Sequence, residues 1–230
     1  MERENSFLSK WDGKSLRMRK FLKSVPGYGW WAAGIWLVLN CSVYFGTRLL
    51  PSDAVRHAVA LPLDAKIPLV PAMIVIYILS YLYWGLSYLR IAQQERKTVW
   101  RFFTGAYIAK IICLICFLAY PTEIVRPEVT GTDVFSALTR LIYGLDAPNN
   151  LFPSIHCLES WLCFRGLCKI EHMPKRIKIG AFVFTALVCA STVLVRQHYL
   201  LDIPAGILTG EIGLALSGII FQTKRSETAL

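Results

Sequence analysis

Six hydrophobic runs, each close to the length of a bilayer-crossing helix, constrain this chain more than anything else in it. They cover Gly27–Gly46, Pro68–Leu89, Phe103–Tyr120, Leu151–Cys168, Ile179–Val195 and Ile203–Gln222. Crossing ~30 Å of hydrocarbon takes ~20 residues of helix at ~1.5 Å per residue. A backbone in lipid must satisfy its own hydrogen bonds, so such runs are helical. The expected fold is all-α, a polytopic membrane protein with six transmembrane helices. A basic cytoplasmic N-terminal tail (1–26) precedes a six-helix membrane domain (27–222), and a short cytoplasmic tail (223–230) follows it.

Charge placement orients the spans. Only 17% of residues are charged, against about 25% in soluble domains. The net charge of +10 does not point to nucleic acid, because the basic residues cluster between the apolar runs. Arg3, Lys10, Lys14, Arg17, Arg19, Lys20 and Lys23 precede the first run. Arg90, Arg96, Lys97 and Arg101 occupy the second connection, Lys169, Lys175, Arg176 and Lys178 the fourth, and Lys224 and Arg225 the end. The positive-inside rule puts both termini and the even-numbered connections in the cytoplasm. The first 26 residues are polar and basic with no cleavable signal pattern, so the first run is expected to stay in the mature protein. A multi-pass location in the plasma membrane is expected. Trp30, Trp31, Trp84 and Trp100 lie near span ends and read as an interfacial belt. The seven cysteines, Cys113-x-x-Cys116 included, read as small buried side chains and not as a disulfide framework.

Alternation then brings three polar segments to the same outer face: Arg126-Pro127, Pro153-Ser154-Ile155-His156, and Arg196-Gln197-His198 with Asp202. His198 and Asp202 are one helical turn apart, so the carboxylate can fix the imidazole tautomer and leave the second ring nitrogen free to attack. Taken alone, the pair reads more simply as an interfacial histidine with a helix-capping aspartate. A Pro-Ser helix start offers free N–H groups and a hydroxyl to an anion. Arg126 and Arg196 suit phosphate oxygens, although an outer arginine also suits lipid head groups. In the third connection, Asp133–Tyr143 reads as a surface helix capped by Thr132 or Asp133. Val134, Phe135, Leu138, Leu141 and Ile142 form its apolar face.

Together the segments resemble the type 2 phosphatidic acid phosphatase superfamily, with its Lys-x6-Arg-Pro, Pro-Ser-Gly-His and Ser-Arg-x5-His-x3-Asp motifs. Arg126-Pro127 matches the first, Pro153, Ser154 and His156 the second, and Ser191, His198 and Asp202 the third. The resemblance runs from about residue 62 to residue 215. Ala119, Ile155 and Thr192 stand where that family has lysine, glycine and arginine. These departures are similar to the branch of inositol phosphorylceramide and sphingomyelin synthases, as are Pro62-Leu63-Asp64, Ile67-Pro68, Pro71, Tyr77 and Gln197-His198-Tyr199.

The resemblance implies a membrane lipid phosphatase acting through a phosphohistidine. His198 is the nucleophile, Asp202 orients it, and His156 is the general acid and then base. Arg126, Ser154, Arg196 and Ser191 hold the phosphate. No metal or other cofactor is implied. The partners are a lipid phosphate, the bilayer and, for a transferase, a lipid alcohol such as diacylglycerol or ceramide. Head-group phosphotransfer is the alternative within enzymes. A non-catalytic lipid-binding or transport protein is the alternative outside them. Attack by a neutral His198 alongside a protonated His156 predicts a bell-shaped pH–rate profile.

Lys110, Glu159 and Glu211 lie about 12–15 Å below the outer ends of their spans at ~1.5 Å per residue. A lone charge at such depth costs ~2.5–3.5 kcal/mol or more. Lys110 is therefore expected to pair with one of the glutamates beneath the site, the alternatives being snorkelling or a protonated glutamate. His57 and His172 carry no motif and are expected at the surface. A metal site built on the motif histidines lacks a third strong ligand at helical spacing.

Overall fold

A computed structural model describes residues 19–47 and 55–227, with side chains through 223. Most of the N-terminal tail, part of the first connection and the last residues lie outside this range. So do Arg3, Lys10, Lys14 and Arg17, and the side chains of Lys224 and Arg225. The main helices are α1 (Gly27–Gly46), α2 (Ile74–Ala92), α3 (Arg96–Ala119), α4 (Val134–Leu145), α5 (Ile155–Lys169), α6 (Lys175–Leu194) and α7 (Asp202–Glu227). No strand forms among the described residues beyond two isolated bridges. The all-helical expectation is met.

Among the described residues, four stretches are long and apolar enough to cross a membrane: Pro71–Ala92, Arg96–Ala119, Lys175–Leu194 and Asp202–Thr223. The other two expected spans differ in kind. Helix α1 has the predicted bounds, but its Trp, Tyr, Gly and Asn residues dilute its hydropathy. Helix α5 has 15 residues, about 22 Å at ~1.5 Å per residue, and carries Glu159 and Arg165. It lies against α2, α6 and α7. Most of its residues are buried, among them His156, Leu158, Glu159, Leu162 and Gly166, and the face of Trp161, Phe164, Arg165 and Cys168 is partly exposed. A helix so largely covered by protein needs little apolar outer surface.

Close approaches lock the bundle at its site. Gly206 on α7 faces the start of α5, where a Cβ would come within 2.5 Å of the Ser154 carbonyl oxygen. The Ser154 N–H donates to the Asp202 carbonyl at 3.2 Å, stitching the two helix starts together. His57 and Thr122 form one bridge and Glu123 and Asn149 the other, the first of them tying the first connection to the third. Asp133 caps α4, accepting from the Phe135 and Ser136 N–H groups at 2.9 and 3.2 Å. Leu138 and Ile142 pack against Ile74, Tyr77 and Val195. Val134, Phe135, Leu141 and Leu145 stay exposed.

Two placements correct the sequence reading. Trp84 is not interfacial; it is buried against His156, with ring centroids 5.0 Å apart. His57 is only half-exposed and stacks on Tyr120 at 4.3 Å.

Candidate active site

Two helix starts and one reversed loop converge on a cavity of about 270 Å³ whose lining includes His156 and His198. Ser154 caps α5, its hydroxyl accepting from the Cys157 N–H at 3.3 Å. That fixes His156 in the first turn. Its ring stacks on Tyr77 with centroids 4.0 Å apart and meets the edge of Tyr81 at 5.5 Å. The His156 Nε2 has no hydrogen-bond partner in this aromatic cage.

The second histidine comes from the turn after α6. The chain reverses at Arg196, whose φ of 53° is left-handed. The Gln197 and His198 N–H groups both donate back to the Thr192 carbonyl, at 2.9 and 3.1 Å. The reversal costs conformational energy for a non-glycine residue, and it points two consecutive side chains into the cavity. His198 Nδ1 lies 3.0 Å from Asp202 Oδ2, which also accepts from the Tyr199 N–H at 2.9 Å. Asp202 is fully buried. Its carboxylate holds Nδ1, so Nε2 is the ring nitrogen that this contact leaves free. The two imidazole centroids are 6.2 Å apart, and both rings line the cavity. Burial opposes the His198 cation, but the hydrogen bond and charge of Asp202 outweigh it and hold the pKa above its ordinary value.

The expected phosphate ligands are dispersed. Arg126 does not line the cavity and reaches it through Gln197 and Asp146. Its Nη2 contacts Gln197 Oε1, and its Nη1 donates to the carbonyls of Asp146 at 2.7 Å and Tyr143 at 3.2 Å. The guanidinium lies over the Tyr143 ring, 4.7 Å from the centroid. Arg196 turns away, donating to the Asp64 carbonyl at 2.6 Å, while the Asp64 carboxylate accepts from the Leu61 and Leu200 N–H groups. Ser191 donates to the Val188 carbonyl at 2.7 Å. Neither Arg196, Ser191 nor Ser154 lines the cavity.

Residues without a motif fill much of the wall instead, namely Asn40, Tyr44, Asp146, Asn149 and Asn150, beside Gln197. Asp146 meets the hydroxyls of Tyr44 and Tyr77. Polar residues and an acid in a largely apolar protein were a weak hint of this wall. Their partners lie far away in sequence, and no local pattern marked them.

Residues 54–216 match the sequence profile of the PAP2 superfamily. The chain belongs to the PAP2 superfamily. The match spans all three polar segments and α2 through most of α7. It makes this a lipid enzyme of the phosphatase or phosphotransferase type, acting on a lipid phosphate in a membrane. Neither a curated protein nor a solved structure matches the chain. Within the PAP2 superfamily the two histidines and the aspartate form a compact unit here, and the cation supply is sparse.

Proposed function

We propose that this protein cleaves the phosphate ester of an amphiphilic lipid through a phosphohistidine on His198. The observation that carries the reading is the His156–cavity–His198 arrangement, with His198 Nδ1 held by a buried Asp202. His198 Nε2 attacks phosphorus, and the bond to the leaving oxygen breaks as His156 gives that oxygen a proton. Water then attacks the phosphohistidine, His156 takes its proton, and phosphate leaves. A cavity of about 270 Å³ holds a head group, so the lipid tail stays in the bilayer. Helices α1 and α5 complete a six-helix bundle, with both termini cytoplasmic and the site at the outer face of the plasma membrane. The basic clusters of the inner connections support this orientation.

Head-group transfer to diacylglycerol or ceramide is the second reading. Among the described residues the cavity wall has Asp146 and the amides of Asn40, Asn149 and Asn150, but no lysine or arginine. Such a wall suits a hydroxylated head group on a phosphodiester. Reconstituted protein with labelled lipid phosphates, with and without a lipid alcohol, separates the two. Free phosphate supports hydrolysis, and a new phospholipid supports transfer. Turnover unchanged by His198→Ala would support a binding or transport role instead.

A further inference from the structure

We propose that Gln197 is a substrate-binding residue whose side-chain amide donates a hydrogen bond to a phosphoryl oxygen held between His156 and His198. The inference rests on the phosphoryl-transfer reading above and adds to it a donor next to His198 in sequence.

Three observations carry it. Gln197 is 1% exposed and lines the same cavity as both histidines. Its oxygen is committed: Oε1 faces Arg126 Nη2, and a guanidinium can only donate, so the orientation of the amide is not open to reversal. Its nitrogen is consequently turned away from Arg126, and Nε2 has no hydrogen-bond partner. Buried amide nitrogens are rarely left unpaired. Among the described cavity-lining residues, the buried polar side-chain atoms without a partner are Gln197 Nε2, His156 Nε2 and Asn150 Oδ1. Two of these are nitrogens, on residues that line the cavity together with His198.

The neighbours strengthen the donor. Arg126 is held by two carbonyls and a ring face, so it polarises the amide through the oxygen without entering the cavity. The backbone is fixed as well, because the Gln197 N–H donates to Thr192 O at 2.9 Å. Thr192 occupies the motif's arginine position, and Arg196 is turned to Asp64. A neutral amide backed by the half-buried Arg126 thus stands next to His198, where the motif lysine and the third motif's arginine are replaced by Ala119 and Thr192.

The test uses the full chain in lipid vesicles, with turnover of a lipid-phosphate panel and inhibition by inorganic phosphate as readouts. Gln197→Met keeps the length and removes the donor. It is expected to lower kcat/KM and weaken phosphate inhibition by roughly 10- to 100-fold, the loss of a hydrogen bond to a charged group. Gln197→Glu keeps an acceptor for Arg126 and replaces the donor with an anion, so it is expected to be worse than Gln197→Met. If Gln197 only positions Arg126, Gln197→Glu strengthens that contact and keeps both activity and phosphate inhibition, and the inference is overturned. His198→Ala separates the two levels. An inactive His198→Ala beside fully active Gln197 variants overturns the Gln197 role alone. An active His198→Ala removes the phosphoryl-transfer reading and this role with it.

Discussion

Lys110 and Glu159 form an ion pair inside the bundle, with Nζ and Oε1 2.5 Å apart and side chains 1% and 0% exposed. Glu159 lies one turn along α5 from His156. Asn40 accepts from Lys110 at 2.7 Å, and Glu159 Oε2 accepts from Tyr88 at 2.6 Å and Trp36 at 3.3 Å. Four helices, α1, α2, α3 and α5, are joined by this one network, and through Asn40 it reaches the cavity wall.

Removing one partner leaves the other charge buried and unpaired. Lys110→Met or Glu159→Leu alone should cost about 3–5 kcal/mol of stability, and the two together should recover much of it. A double-mutant cycle by unfolding in detergent measures this. Additive single effects would contradict the pairing.

Asp202→Asn should lower kcat by about 10²- to 10⁴-fold, because the amide no longer favours attack by His198 Nε2. It should also move one limb of the bell-shaped kcat/KM profile to lower pH. The aspartate holds the His198 pKa above its ordinary value, and the neutral amide does not. The stability effect has a defined sign. The contribution of the charged histidine is complete below the unfolded pKa of ~6.5 and is lost as pH rises through the raised folded value. The stability gap between wild type and Asp202→Asn should therefore narrow as pH increases, which unfolding measurements across that range would show.

Tyr77 supplies the stacking face for His156. Tyr77→Phe keeps the ring, whereas Tyr77→Leu loses it. The leucine variant should lose a further ~2- to 12-fold in kcat, corresponding to about 0.5–1.5 kcal/mol of aromatic contact. Equal rates for the two variants would show that the ring does not position His156.

Gly206→Ala introduces a Cβ within 2.5 Å of Ser154 O. Either α7 or α5 must move, at a cost of about 1–3 kcal/mol, and the move widens the gap between the histidines. Activity should fall more steeply than stability, as parallel turnover and unfolding assays would reveal.

Some of this was legible in the sequence because its physics is local or nearly unavoidable. His198 and Asp202 face each other because helical spacing puts them a turn apart. The partnering of Lys110 was required by the cost of a lone charge at that depth, although the choice of Glu159 over Glu211 was not. Glu211 instead pairs with Arg165 at 3.2 Å and accepts from Trp161. Helix α1 was bounded correctly by its apolar run, while α3 begins earlier, at Arg96, because Val99 and Phe102 are buried. What composition could not reveal was contact between distant segments. Arg196 meets Asp64 across 132 residues, and Arg126 meets Gln197 across 71. Both arginines looked like free phosphate ligands until their partners were known. The aromatic cage of His156 comes from α2, whose Tyr and Trp residues read equally well as interfacial anchors.

The central claim is a covalent phosphohistidine at His198, and acid–base chemistry allows it to be trapped. Protein mixed with ³²P-labelled lipid phosphate and denatured rapidly in alkali should retain label, because a phosphoramidate survives alkali and is lost in acid. The account predicts acid-labile label on the peptide containing His198 in wild type and none in His198→Ala. Turnover by wild type with no such label, or undiminished turnover by His198→Ala, would contradict it.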